Sequence, residues 1–329
     1  MTQTSSRVLL SGVSGMVGSA LQRALAENGL RALQLVRAKE QAPTGKGIAA
    51  PAGRPQAVGF AVPGRFPWNP SARPPVSPPE VLEGFSAAIH LSGASVAGHR
   101  WTEAYKREIT ASRVQSTRAL AEALAGLRHP PATLLVASAT GIYGDRGDEP
   151  LDETSAAGAG FLADVCRQWE AAAQPAVDAG IRVVNLRFGI ILGPGGALAQ
   201  MAPIFRLGLG GPLGSGSQWM PWVSLIDVVR AILFALETPA LAGPVNITGP
   251  APVSNAAFTR SLARLLHRPA FLPAPAFALR LAFGQMANEA LLAGARAYPA
   301  KLTNAGFEFT HRTVDSALAA ALEACAALS

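Results

Sequence analysis

Residues 8–18, Val-Leu-Leu-Ser-Gly-Val-Ser-Gly-Met-Val-Gly, constrain this chain more than any other stretch. An apolar run stops at Gly12, and glycines recur at positions 15 and 18. A helical pattern of Val17, Leu21, Ala24 and Leu25 follows at once. The spacing predicts strand, tight turn and helix. Gly12 permits the turn, Gly15 leaves room for a pyrophosphate to approach the backbone, and Gly18 lets helix and strand pack closely. The helix N-terminus adds free N–H groups and a positive dipole end. Gly12, Ser14, Gly15, Met16, Val17 and Gly18 are therefore the expected phosphate-binding turn of a dinucleotide site.

Further along, Arg31 to Val36 reads as a second strand after the Asn28-Gly29 helix stop. At its end an acidic residue would select NAD, whereas arginine suits the 2′-phosphate of NADP. Arg37, with Lys39 beyond it, therefore predicts NADP over NAD. Residues 38–80 are rich in Ala, Pro and Gly and read as a surface excursion anchored by Trp68, with a third strand expected near Val58 to Val62. Ala87 to Leu91 is a buried strand, and its His90 reads as a satisfied core histidine. The small residues after it, with Leu91, Ser92, Gly93 and Ala94 as expected contacts, let the adenosine side of a cofactor lie close. Trp101 to Leu124 is a long helix and Thr133 to Ala137 another strand. Phe161 to Ala173 is a helix stopped by Pro175, and Arg182 to Phe188 a further strand. Nearly all-apolar strands alternating with helices predict an α/β protein with a Rossmann-type doubly wound parallel sheet. Beyond residue 190 the pattern changes to glycine-dense loops, helices at Leu225 to Leu236 and Ala256 to Leu266, and a short strand at Val245 to Ile247. The expected division is a NAD(P)-binding domain at 1–190 and a substrate-binding and C-terminal helical lobe at 191–329, with some later segments able to return to the first.

Composition narrows the partners. A chain of 329 residues, 49% apolar, has room for such a domain and a smaller lobe. The net charge of +7 is carried almost wholly by arginines scattered singly, without a basic run or an aromatic platform. An anionic cofactor explains this better than nucleic acid. No apolar run reaches the ~18–20 residues of a membrane span, and the N-terminus lacks an apolar signal core. The expectation is a cytoplasmic protein with a small-molecule substrate, no nucleic acid or membrane partner, and a monomeric or homodimeric state. Cys166 and Cys325 supply no disulfide framework and no metal cluster.

Several separated motifs converge on one family. They are Gly12-x-x-Gly15-x-x-Gly18, Ile89-His90-Leu91-Ser92-Gly93-Ala94, Arg100-Trp101, Ser112-Arg113 with Thr117, Ser138 with Tyr143-Gly144, and Trp169-Glu170. Leu186-Arg187-Phe188-Gly189, Leu192-Gly193, Gly208-Leu209-Gly210-Gly211, Pro221-Trp222-Val223, Asp227, Phe283-Gly284-Gln285-Met286 and Gly306-Phe307 continue the set. On these the chain resembles the extended, atypical short-chain dehydrogenase/reductases called NAD-dependent epimerase/dehydratases, in particular a small epimerase-like branch. The resemblance covers nearly the whole chain. It implies cofactor contacts from Arg113, Ser138 and Cys166 in addition to those above.

The wider superfamily uses a Ser or Thr near the end of the fifth strand, plus a Tyr and a Lys at i and i+4 on the next helix. One turn of spacing puts both side chains on one face, and the lysine lowers the tyrosine pKa. Aligned on Glu170, this chain has Leu162 and Cys166 at those places. Shifted by one, it has Phe161 and Val165. Neither register holds the pair, and the branch that the chain resembles lacks it too. The expected catalytic groups are then Ser138 and Tyr143, with Ser138 the hydroxyl and Tyr143 either a substitute acid or a packing residue. Cys166 reads as a buried thiol, the loop carboxylates Asp148, Asp152 and Glu153 as solvated charges, and Asp227 as a group orienting the substrate loop. Two functions follow from this reading: an NADP(H)-dependent oxidoreductase or epimerase on a small, sugar-like substrate, or a dinucleotide-binding sensor or scaffold with little turnover.

Overall fold

In the computed structural model, which describes residues 7–37 and 64–327, the apolar runs form strands and the periodic stretches form helices. The first part alternates β1 (Arg7–Ser11), α1 (Met16–Glu27), β2 (Arg31–Arg37), β3 (Arg65–Trp68), β4 (Ala87–His90), α2 (Glu103–Ala125) and β5 (Thr133–Ala139). The middle holds β6 (Pro150–Leu151), α3 (Phe161–Ala171), α4 (Gln174–Asp178), β7 (Arg182–Phe188), β8 (Ile190–Leu192) and α5 (Gly196–Arg206). Then come β9 (Trp219–Met220), β10 (Trp222–Ser224), α6 (Leu225–Glu237), β11 (Gly243–Ile247), β12 (Val253–Ser254) and α7 (Asn255–Leu265). The chain finishes with α8 (Ala276–Phe283), β13 (Arg296–Ala297), α9 (Ala300–Asn304) and α10 (Val314–Ala326).

Seven strands form one parallel sheet in the order β11-β7-β5-β4-β1-β2-β3. Its strands are apolar on both sides because helices cover both faces. Leu10, Ile89, Leu135 and Val184 point to one face and pack with Leu21 and Leu25 of α1 and Val228 and Ile232 of α6. Leu9, Ala88, Leu134 and Val136 point to the other and pack with Leu120 and Leu124 of α2 and Trp169 of α3. Burying each large apolar side chain contributes roughly 1.5–3 kcal/mol, so these two layers fix the strand register. The chain leaves β1 for β2 and β3, then reverses to β4, β5, β7 and β11. That reversal lies between β1 and β4, where the loops after the two strands diverge and open a crevice.

One difference from the sequence reading concerns the segment around Pro67, taken as surface excursion. Arg65–Trp68 is instead the edge strand of the main sheet, paired with β2. An edge tolerates a proline, which cannot donate to the ladder. Phe66 and Trp68 alternate inward with the strand period and are buried. The strand expected at Val58 to Val62 lies outside the described residues.

Past residue 190 the chain both returns to the sheet, through β11 and α6, and builds a second layer. There α5, α7 and α10 share a cluster with Met220 and Trp222. Ser224 caps α6 by accepting the Asp227 backbone N–H. Among the described residues, no helix is long and apolar enough to cross a membrane.

Candidate functional site

The three glycines after β1 sit in different circumstances. Gly12 has φ +81, and a Cβ there would lie 2.6 Å from the Leu91 carbonyl carbon. A Cβ on Gly18 would lie 2.1 Å from the Gly12 oxygen. The fold itself therefore demands glycine at both positions. Gly15 is different: it is extended, with φ −76, and its Cβ would meet only the Gly12 oxygen at 3.6 Å. Among the described residues, no group but the Gly12 oxygen lies within 4 Å of a Cβ built on Gly15. Gly15 stands just before α1, which has no side-chain cap and no acidic residue in its first turn. Among the described residues, no side chain caps the first N–H groups of α1 or its positive end, which fits a pyrophosphate. Ser14 is exposed beside it, Met16 and Val17 are half-buried, and the Met16 sulfur lies against the Gly193 to Gly196 turn.

The loop after β4 forms the opposite wall, Leu91 touching Gly12 while Ser92, Gly93 and Ala94 continue along it. Beneath the crevice His90 is fully buried. Its Nδ1 lies 2.5 Å from Ser11 Oγ and its Nε2 3.0 Å from Ser116 Oγ. Burial, and then the Arg37 charge, push its pKa down to about 3, so the ring is neutral. Arg37 ends β2 as an exposed residue, and its Nη2 donates to the Ser112 carbonyl at 3.4 Å. Arg113 is buried instead. It donates to the carbonyls of Ile109 (3.0 Å) and Ala94 (2.9 Å) and lies 5.0 Å above the Trp169 ring. Burial lowers its pKa. Arg113 thus braces the Ala94 loop from behind.

Ser138 and Tyr143 are brought together, but by a buried ion pair. Ser138 Oγ donates to Glu170 Oε1 at 2.7 Å. Arg187 donates to both Glu170 oxygens, at 2.8 and 2.9 Å, and to the Tyr143 hydroxyl at 3.1 Å. That hydroxyl has two acceptors for its one proton, the Asp152 carbonyl at 2.9 Å and Asn246 Oδ1 at 2.8 Å. Both residues are buried, Ser138 to 2% exposure and Tyr143 to 0%. Burial raises the Tyr143 pKa, with Arg187 opposing. Burial works against the Arg187 charge, but Glu170 outweighs it and the guanidinium pKa stands above its ordinary value. In register, Ser138 pairs with Arg187 across β5 and β7, which is why both reach Glu170 on α3.

Leu162 and Cys166 lie one turn apart on α3, as the Glu170 register expects. The Leu162 N–H is held by Glu289 at 2.9 Å, and a Cβ on Gly141 would lie 3.6 Å from Leu162 Cβ. Cys166 is buried, and burial followed by the Glu170 charge pushes its pKa up to about 12, leaving a thiol at neutral pH. One expectation changes, and the place of another is now defined. Glu153 is buried to 7% exposure, not solvated, and accepts the backbone N–H groups of Asn246 (3.0 Å) and Lys301 (3.2 Å). Asp227, 1% exposed, ties the C-terminal strap to the start of α6, accepting the Thr310 and His311 N–H groups at 2.7 and 3.0 Å and the Ser224 hydroxyl at 2.8 Å. Both are carboxylates drawn inward by unpaired backbone donors, a demand the sequence does not display. Among the described residues no cluster of His, Cys, Asp and Glu could hold a metal ion.

Comparison with known proteins identifies the family and the fold. The model of the NAD dependent epimerase/dehydratase family matches residues 8–248, and that of a domain of unknown function (DUF1731) matches residues 274–321. Epimerase family protein Mb2239 of Mycobacterium bovis is 43% identical over 312 residues, covering 94% of this chain and 96% of its own. Epimerase family protein YfhF of Bacillus subtilis is 37% identical over 243 residues, covering 74% and 80%. Among solved structures, human epimerase family protein SDR39U1 (isoform2) with NADPH superposes with a TM-score of 0.81 at 29% identity, covering 96% of this chain and 99% of that one. MoeE5 in complex with UDP-glucose and NAD, at 20% identity and a TM-score of 0.72 over 98% and 100% of the two chains, shares the fold.

Proposed function

The chain belongs to the NAD dependent epimerase/dehydratase family, and on that premise we propose that it binds NADP(H) in the crevice between β1 and β4 and serves redox chemistry on a small, sugar-like molecule. The observation that carries this is Gly15: the fold does not need a glycine there, and an approaching pyrophosphate does. The human relative's structure with NADPH and the exposed Arg37 support the phosphorylated cofactor. In this reading Ser14, Gly15, Met16, Val17 and Gly18 hold the pyrophosphate through backbone N–H groups. Arg37 meets the 2′-phosphate, and Leu91 to Ala94 lie along the adenosine side. Arg113 acts indirectly by fixing Ala94. When bound, the nicotinamide supplies hydride transfer.

Proton handling is the weak half of this site. Ser138 points its proton at Glu170, and Tyr143 is sealed from the cleft. Both hydroxyls in this reading hold the end of β5 in place and do not touch substrate. The thiol of Cys166 offers only a weak donor where a lysine would hold the ribose. Turnover on ordinary alcohols or sugars is accordingly slow. The same closed network favours a second reading, a dinucleotide-binding sensor. Single-turnover mixing of bound NADPH with a panel of carbonyl compounds and nucleotide sugars separates the two. Oxidation by any member supports the oxidoreductase, and binding without oxidation across the panel supports the sensor.

A further inference from the structure

Helix α8 has the sequence Ala-Phe-Ala-Leu-Arg-Leu-Ala-Phe and buries none of its eight residues. Phe277 and Leu281, one turn apart on the same face, are 72% and 78% exposed. The patch continues beyond the helix. Phe271 and Leu272 precede it, Leu207 and Leu209 lie in the loop after α5, and all four are more than half exposed. The two segments run side by side: Arg268 Nε donates to the Arg206 carbonyl at 2.8 Å, and the Ala274 N–H to the Pro212 carbonyl at 2.9 Å. Six large apolar side chains exposed on these adjoining segments exceed the scattered exposure normal for a folded protein.

The rim of this face is cationic. Arg206, Arg268 and Arg280 are exposed around it, and residues 179–226 and 238–288 contain neither Asp nor Glu. A second copy docking by the same face would set these arginines against their own images. An anionic surface answers both features, because apolar tips enter the acyl boundary while guanidinium groups meet lipid phosphates. An eight-residue helix is about 12 Å long, against a hydrocarbon core of about 30 Å, so it lies on a bilayer without crossing it. We propose that this face of the C-terminal lobe docks on an anionic lipid surface, with α8 at headgroup depth. The expectation of no membrane partner rested on the lack of a span, which surface docking does not need.

Flotation of the full chain with vesicles tests this. Vesicles of phosphatidylcholine with phosphatidylglycerol should carry the protein, those of phosphatidylcholine alone far less, and added salt should release it. Arg268→Gln and Arg280→Gln should each weaken binding about fivefold. The double variant Phe277→Ser, Leu281→Ser should weaken it about tenfold or more. All variants should keep the parent's melting temperature and NADPH affinity. Failure to float with either vesicle overturns the proposal, as do variants that float like the parent. So does binding to soluble polyglutamate without vesicle binding, which would point to an acidic protein. Light scattering that shows a dimer abolished by the Phe277→Ser, Leu281→Ser change would assign the face to a second copy and equally overturn it.

Discussion

Replacing Glu170 by alanine should lower folding stability by about 3–5 kcal/mol. In the parent, Glu170 accepts two hydrogen bonds from Arg187, at 2.8 and 2.9 Å, and one from Ser138 at 2.7 Å. The Arg187 and Glu170 side chains are only 9% and 14% exposed, so neither charge is well hydrated. The substitution leaves Arg187 with the Tyr143 hydroxyl at 3.1 Å and Ser138 without its acceptor. Most of the loss comes from the guanidinium left buried and unpaired, not from the attraction itself. For a chain of this size each kcal/mol moves the melting temperature by about 2 °C, so a fall of about 6–10 °C is expected by calorimetry or circular dichroism. Glu170→Gln keeps the shape and one acceptor oxygen but not the charge, and should recover only part. Ser138→Ala removes a single hydrogen bond to a charged acceptor and should cost less, about 1.5–3 kcal/mol. A Glu170→Ala protein that melts within about 1 °C of the parent would refute the reasoning, because the pair would then add no net stability.

Arg37→Ala should weaken NADPH binding about tenfold or more with little effect on NADH, because it removes one charge-assisted contact. Calorimetry that finds both cofactors binding equally well to the parent would show Arg37 to be a plain surface charge. His90 should make the fold acid-sensitive: the folded ring has a pKa of about 3 and the ordinary value is 6.5, so below 6.5 the unfolded chain binds the extra proton. Stability from this group is complete above pH 6.5 and is lost as pH falls toward 3. Urea midpoints across that range should fall less steeply in His90→Gln than in the parent, and identical slopes would count against the neutral, buried ring.

Much of this was legible before any coordinates. The strand–glycine–helix opening, the parallel sheet and the satisfied state of His90 depend on short-range pattern and on apolar strands, which the sequence displays directly. The missing Tyr and Lys on α3 could also be read, since they depend only on one helical register. What escaped was long-range polar pairing. Nothing local ties Ser138 to Glu170 or Arg187, and Glu153 looks like a loop charge until Asn246 and Lys301 present their N–H groups to it. Edge strand β3 was hidden because Pro67 argues against any interior strand, and only its place at the sheet margin makes it tolerable. The sequence places helix α8 in a C-terminal helical lobe without showing which side of it is covered. Its exposure depends on which elements pack around it, and no periodicity reveals that.

The central claim is that the space over Gly15 belongs to a dinucleotide. Isothermal titration of NADPH into the parent and into Gly15→Val tests it most directly. The parent should bind. Gly15→Val should fold like the parent, because the backbone is extended with φ −76 and its Cβ meets protein only at 3.6 Å, yet it should lose NADPH binding. Gly18→Val is the contrast: a Cβ there meets the Gly12 oxygen at 2.1 Å, so it should disturb the fold itself. A folded Gly15→Val protein that binds NADPH as tightly as the parent would contradict the account.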